Sequence, residues 1–365
     1  MTQTPATQNP AGTTPAGATS TGSQPPSPRP TNTRNAGRSV GSFLKLRELP
    51  VTAALIVLVV VTYAANPLFL GPQGIKDLLL NATIIIILAV GQALVIITRN
   101  VDLSVGSMLG LVAFGTGTLF QVMPDIPIIA AFGVGMLFGA ALGAVNGLLV
   151  TVAKVPALVI TLGTLYIYRG LNNAWAGGTQ YFADDRPAAF GSLSVDTVLG
   201  FPLITLIAIL VVIAVALYMM GTRPGRDLYA IGSDPDAARL FGIPIGRRVF
   251  LVFLANGVLA GLAGVLYASR FNSVGANTGL GMELDVVAAA VVGGVAIFGG
   301  SGTVVGAAIG AVLLTTITSA LTALRVDKFW QQAIVGVLIL AAIIIDRLAS
   351  IRTARKLRVS EARDV

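Results

Sequence analysis

The run FGGSGTVVG at 298–306 is the nearest this sequence comes to phosphate chemistry. A phosphate-binding loop needs closely spaced glycines whose N–H groups cradle the anion, and a lysine that reaches it, in the order GxxxxGK[ST]. Here the glycines are present, the lysine is absent, and apolar stretches flank the run on both sides. It reads as a tight turn, and no ATP hydrolysis is expected of this chain. Ion-coupled chemistry would need ionisable groups in the middle of apolar stretches. Asp102 and Arg99 stand at the end of one stretch rather than at its centre. Arg169 follows Pro156 by 13 residues, about 20 Å at the helical rise, close to a boundary where its head group could snorkel into water. With no histidine and no cysteine, thiol chemistry, the usual zinc sites and the commonest general base are excluded. No nucleophile stands beside a base and no metal cluster is visible, so the chain is not read as an enzyme.

Two further patterns could bind rather than react. SDPDAARLFG at 233–242 carries the marks of a short capped helix. Ser233 or Asp234 can cap its start, Pro235 suits the first turn, and Asp236 complements the helix dipole. Gly242 can close the end, and Pro244 prevents continuation. Leu240, Phe241 and Ile243 beside it are apolar, which favours docking onto a partner over a plain solvated loop. The second pattern is a scatter of amides and hydroxyls within apolar runs: Asn81, Gln92, Asn146, Thr161, Thr164, Asn172 and Asn256. They are candidates to line a pathway and exchange hydrogen bonds with a polar solute. The competing reading is that they bond neighbouring helices.

The elements that must hold these residues follow from composition. The chain is 55% hydrophobic and 11% charged, with a mean hydropathy of +0.83, where a soluble domain carries about 25% charged residues. Apolar runs long enough to cross a bilayer alternate with short polar connectors. They predict ten spans, at 50–65, 78–97, 103–121, 127–152, 156–174, 201–220, 248–268, 284–298, 303–321 and 330–346. The eighth is short, bounded by Glu283, Asp285 and the glycine-rich turn, and reads as a half-helix packed within protein. The expected organisation is a disordered cytoplasmic tail over 1–42, a transmembrane domain over 43–347 with an inside loop at 221–247, and a basic cytoplasmic tail over 348–365. The Thr-, Pro- and Ser-rich tail has no apolar core to offset chain entropy.

Charge sets the expected orientation. With both termini inside, Lys76, Arg169, Arg186, Arg270, Arg325 and Lys328 are the basic residues left on the outer side. All others, including Arg29, Arg34, Arg38, Lys45 and Arg47 before the first span, fall inside, as the positive-inside rule requires. The net charge of +8 is thus assigned to membrane flanks and not to nucleic acid. Tyr63, Phe69, Tyr166, Tyr168, Trp175, Tyr267 and Trp330 fall near the outer boundary. Gly135, Gly139, Gly143 and Gly147 recur every fourth residue, and Gly106/Gly110, Gly257/Gly261 and Gly306/Gly310 repeat the spacing. Such faces let helix backbones approach closely, chiefly within one chain and alternatively between subunits.

Four blocks, VGQALVIITRNVDLSVGS (90–107), ALVITLGTLYIYRGL (157–171), GRDLYAIGSDPDAARLFGI (225–243) and GLGMELDVVAAAVVGGVAIFGGSGTVVGAAIGA (279–311), resemble the permease subunits of bacterial ABC importers for monosaccharides. This is the ribose, xylose and rhamnose permease family. The RNVDLSVGS form, with GTLYIYRG and GLGMELD, is most similar to the rhamnose and autoinducer permeases. The likeness runs from about residue 50 to 347. It implies an all-α integral membrane fold of the type II ABC importer kind, in the bacterial cell (inner) membrane among lipid. It also implies a second permease chain, as homodimer or heterodimer, an ABC ATPase subunit below and an extracytoplasmic solute-binding protein above. ATP and Mg would sit on the ATPase, with no cofactor in this chain. The 235–241 helix would be the family's coupling helix, with Arg226, Asp234, Ala238, Arg239 and Gly242 in that motif. The connector 179–196 is the candidate dock for the binding protein. The function expected is a pathway for a small sugar or sugar-like solute, driven by ATP. A facilitative or ion-coupled transporter, and a receptor-like subunit without transport, remain the competing classes.

Overall fold

The computed structural model describes residues 49–340 apart from positions 154, 328, 338 and 339. The tail expected at 1–42, its basic flank, the segment 348–365 and the end of the tenth predicted span lie outside the described residues. Helix α1 covers Leu49–Ala65, and after a single tight turn α2 covers Pro72–Ile97. Then come α3 (Val105–Val122), α4 (Ile128–Ala153) and α5 (Ala157–Ala176). A folded connector holds β1 (Tyr181–Phe182), α6 (Ala188–Ser192), β2 (Thr197–Val198) and β3 (Phe201–Pro202). It leads into α7 (Leu203–Gly221), α8 (Arg223–Ser233), α9 (Pro235–Leu240) and α10 (Ile245–Arg270). The chain continues through β4 (Ser273–Val274), α11 (Met282–Val292) and α12 (Val304–Ala323), and residues 329–337 are again helical.

Helix stands at every predicted run, yet only six helices among the described residues are long and apolar enough to cross a membrane. These are α2, α3, α4, α7, α10 and α12. With 11 residues, α11 is about 16 Å long, half of a ~30 Å hydrocarbon core. Predicted to begin at residue 78, the second run starts six residues earlier, because Pro72 takes the first turn where its missing N–H costs nothing. The 221–247 loop differs from expectation: it holds two helices, not one, with α8 preceding the short capped helix.

Burial ranks the helices. The apolar stretch of α2 is 83% buried and that of α10 72%, against 28% for α4 and 22% for α7. So α2 and α10 lie side by side at the centre. Helices α3 and α4 pack on α10, α12, α11 and α7 pack on α2, and α5 leans on α3. Where α4 meets α10, a Cβ on Gly139 would collide with the Gly257 carbonyl, and one on Gly257 with the Gly139 carbonyl. Gly306 and Gly310 of α12 meet Gly293 and the Ala289 carbonyl in the same way. Gly106 and Gly110 of α3 face, between them, the first turn of α11 at Glu283 and the segment before it. They admit the Gly279 and Thr278 carbonyls of the segment between β4 and α11. All these small-residue faces serve packing within the chain. At one end of the bundle β1 pairs antiparallel with β4 (Tyr181 opposite Val274), and β2 with β3.

Candidate functional site

The α8–α9 pair is the first part of the site. Thr222 caps α8, its Oγ1 accepting from the Gly225 N–H at 3.1 Å. Leu228 and Ile231 on one face of α8 are buried. Asp234, in extended conformation, caps α9: its Oδ1 accepts from the N–H groups of Asp236 (3.0 Å) and Ala237 (3.1 Å). Ser233, the other candidate cap, is instead the last residue of α8. Gly242 closes α9 with φ of 76°, and its N–H donates to the Arg239 carbonyl at 3.0 Å. Ala238 is buried, while Pro235 is half-buried and Arg226, Asp236 and Arg239 are exposed. The Arg239–Asp236 ion pair is open to solvent and contributes little. Leu240 and Phe241 are 90% and 86% exposed, so the tip of α9 presents bare apolar surface.

This pair is fixed to the bundle at several points. Arg99, held at φ of 64°, donates from Nε to the Gly232 carbonyl at 2.6 Å and from Nη2 to the Ser233 carbonyl. The Gly300 N–H donates to the Ile97 carbonyl at 2.9 Å. A Cβ on Gly232 would collide with both Ile97 and Gly300, so glycine is required for the three segments to meet. Tyr229 donates to the Gly302 carbonyl at 3.0 Å, and burial pushes its hydroxyl pKa up, which keeps the donor proton in place. Arg248 at the start of α10 donates from Nε (3.0 Å) and Nη2 (2.7 Å) to Asp227 Oδ2.

From Arg99 the connector 98–104 turns back between the helices and ends in a fully buried polar network. Asp102 is not simply at a helix end, as the sequence predicts; it is wholly inaccessible. Its Oδ1 accepts from the Ser104 N–H (2.9 Å) and Oγ (2.7 Å), and its Oδ2 from Asn256 Nδ2 (2.9 Å) and Asn146 Nδ2 (3.4 Å). Asn146 also donates to Ser104 Oγ at 2.7 Å, and Tyr168 to the Leu142 carbonyl at 2.9 Å. With its amide turned to suit, Gln92 donates to the Asp102 carbonyl (3.2 Å) and accepts from its N–H (3.1 Å). Thr161 donates to the Val101 carbonyl at 3.1 Å. A carboxylate buried so far from water is tolerable because every oxygen is occupied.

The seven predicted hydrogen-bonding residues therefore separate into groups. Gln92, Asn146, Thr161 and Asn256, from four different helices, converge on residues 101–104. Thr164 is buried and donates to the Thr161 carbonyl at 3.3 Å. Asn172 is buried and donates to the Ala276 carbonyl at 3.1 Å. Asn81 is exposed and accepts from Arg270 Nη2 at 3.1 Å. Arg169 does not snorkel. It is 9% exposed and its Nη1 donates to the Thr278 carbonyl at 2.6 Å, because the 275–281 segment brings carbonyls against α3 that only a buried donor can satisfy.

The connector 179–196 is a folded cover. Arg186 donates to the Phe271 carbonyl at 2.8 Å and also to that of Ala268, and burial lowers its pKa. Phe190 is fully buried, and Lys76 donates to the Val195 carbonyl at 2.7 Å. Among the described residues no group of acidic side chains could hold a metal ion.

Comparison with known proteins adds independent findings. The family described as "Branched-chain amino acid transport system / permease component" matches residues 74–343. The "Autoinducer 2 import system permease protein LsrC" of Enterobacter sp. (strain 638) is 38% identical over 322 residues, covering 87% of this chain and 93% of the relative. Its counterpart from Klebsiella pneumoniae is 36% identical over 322 residues (87% and 92%), and that of Escherichia coli K12 36% over 312 (86% and 90%). No solved structure matches.

Proposed function

Since the chain belongs to the branched-chain amino acid transport system / permease component family, we propose that it is the transmembrane subunit of an ATP-driven importer, forming the pathway for a small sugar-like solute. The relatives named for autoinducer 2 import support a sugar-like cargo over the amino acids of the family description. The observation that carries the proposal is the bare apolar tip of α9, Leu240 and Phe241, on a capped helix fixed rigidly to the bundle. A soluble ATPase subunit grips this tip, with Arg226, Asp234, Pro235, Asp236, Ala238, Arg239 and Gly242 forming and flanking the knob. ATP and Mg act there, on the partner, and hydrolysis belongs to it.

In this reading the chain crosses the bacterial inner membrane ten times in a type II importer arrangement, both termini cytoplasmic. Residues too short or polar to span alone, such as α11, are sheltered by neighbours. A second permease chain completes the pathway, and a solute-binding protein docks on the 179–196 cover. ATP binding draws the ATPase halves together and moves α9. The movement passes through Arg99 to the Asp102 network, which joins α2, α4, α5 and α10, so these helices rock as a body. Gln92, Asn146, Thr161 and Asn256 brace that network, and Asn81, Thr164 and Asn172 stay as lining candidates.

One observation favours a second reading. A buried carboxylate among spanning helices is the usual mark of ion coupling. Asp102 is such a group, but its two oxygens already hold four donor contacts from this chain. Reconstitution separates the two: uptake that needs the ATPase and ATP supports the importer, and uptake by the chain alone under a proton or sodium gradient supports ion coupling.

A further inference from the structure

We propose that Arg169, Asn172 and Glu283 form a transit site for a polyhydroxyl solute, where α5 and the first turn of α11 face the glycine face of α3. This deepens the importer reading and rests on it for the class of cargo. Seven buried side-chain polar atoms among the described residues lack a partner, and four of them belong to these three residues. They are Nε and Nη2 of Arg169, Oδ1 of Asn172 and Oε2 of Glu283. The side chains are 9%, 1% and 9% exposed. A buried polar atom without a partner costs about 1–3 kcal/mol, so their concentration on one group of neighbours needs a reason.

Geometry brings them together. Asn172 follows Arg169 by one turn on the same face of α5, and both side chains reach the Ala276 carbonyl. On α3, a Cβ at Gly106 would strike Glu283 Oε2, and a Cβ at Gly110 would lie 3.3 Å from Arg169 Nη1. Gly106 and Gly110 stand one turn apart, about 6 Å along the axis. Arg169 and Glu283 make no ion pair; those among the described residues are Arg239–Asp236 and Arg248–Asp227. The opposite charges thus lie against the same glycine face of α3, one turn apart, without joining.

The free groups define a ligand. Nε and Nη2 form the side-on fork of the guanidinium, which receives two adjacent oxygens. Asn172 Oδ1 and Glu283 Oε2 accept protons. Vicinal hydroxyls, each both donor and acceptor, satisfy all four atoms with a neutral molecule. Modest affinity suits a site that must release its cargo.

The chain has no cysteine, so Asn172→Cys and Glu283→Cys each create a single thiol. The test uses membrane vesicles holding the full complex, a hydrophilic cationic methanethiosulfonate reagent, and Thr83→Cys, buried elsewhere on α2, as the control. Either thiol is expected to react at least about tenfold faster than the control in one of the two conditions, ATP present or ATP absent, and more slowly in the other, because a pathway that alternates opens to water and a packed core does not. A mixture of D-ribose and L-rhamnose is expected to slow the reaction, and L-leucine is not. Two labelling rates no faster than the control in both conditions would overturn the site. Protection by leucine alone, or by neither addition, would overturn the polyol assignment. A rate indifferent to ATP but slowed by the sugars would reject the importer reading and leave the site standing.

Discussion

Arg99 Nε donates to the carbonyl of Gly232 at 2.6 Å, joining the connector after α2 to the last turn of α8 across 133 positions of sequence. Three residues further on, Asp102 is bonded to Asn256 and Asn146. A short segment thus has one end on the α8–α9 pair and the other in the centre of the bundle. In the proposed importer, this segment is the route by which motion at α9 would reach the helices.

Arg99→Ala should cut that link while leaving insertion intact. A hydrogen bond from a charged donor contributes about 1.5–3 kcal/mol, and two are lost here. The expected result is basal ATP hydrolysis near normal in the reconstituted complex, with solute-stimulated hydrolysis reduced about tenfold or more. Unchanged stimulation would show that coupling runs elsewhere.

The knob itself predicts a different failure. Gly242→Pro removes the N–H that bonds Arg239 and cannot adopt φ of 76°. Asp236→Lys opposes the helix dipole at the start of α9. Both variants should reach the membrane at normal levels yet lose solute-stimulated ATP hydrolysis. Full coupling in both would reject the role given to α9.

Asp102 separates structure from ion coupling. Asp102→Leu strands donors from Ser104, Asn146 and Asn256, and a cost of about 3–5 kcal/mol is expected, as for breaking a buried charged network, read as a lower Tm of the detergent-solubilised protein. Asp102→Asn keeps an acceptor oxygen and should retain ATP-driven uptake. Abolished uptake in a well-folded Asp102→Asn protein would favour a proton-carrying carboxylate.

The α4–α10 contact offers a packing test. Gly257→Val places methyls where the Gly139 carbonyl and Gly143 backbone now lie, forcing the helices apart at a cost of about 1–3 kcal/mol or more. Gly133→Ala, with nothing within 4 Å of its new methyl, should leave the Tm unchanged. Equal effects from the two would mean that the glycine seam does not hold these helices together.

Much of this was legible from local pattern. The cap at Asp234, the glycine stop at Gly242, the bare Leu240 and Phe241, the shortness of α11 and the fourfold glycine spacing all follow from residues within one or two turns. What escaped depends on distant pairing. Helix α8 was hidden because RPGRDLYAIGS carries a proline and two glycines, and its apolar face gains a meaning only against 97–99 and 300–302. Asp102 read as a helix-end residue because its partner Asn256 is 154 positions away. Arg169 read as a snorkelling residue because nothing local announces that the Thr278 carbonyl comes to meet it. Of the amides and hydroxyls that looked equally suited to a pathway, three amides and one hydroxyl proved to brace one connector.

In the proposed importer, energy enters through α9 from a separate ATPase. The direct measurement is solute accumulation in proteoliposomes containing the chain with or without its ATPase and binding protein, for the native sequence and for Leu240→Asp with Phe241→Asp. Uphill accumulation should appear only with the ATPase and ATP, and the double variant should abolish it while still inserting. Accumulation by the native chain alone, or by the double variant at the native rate, would contradict the account.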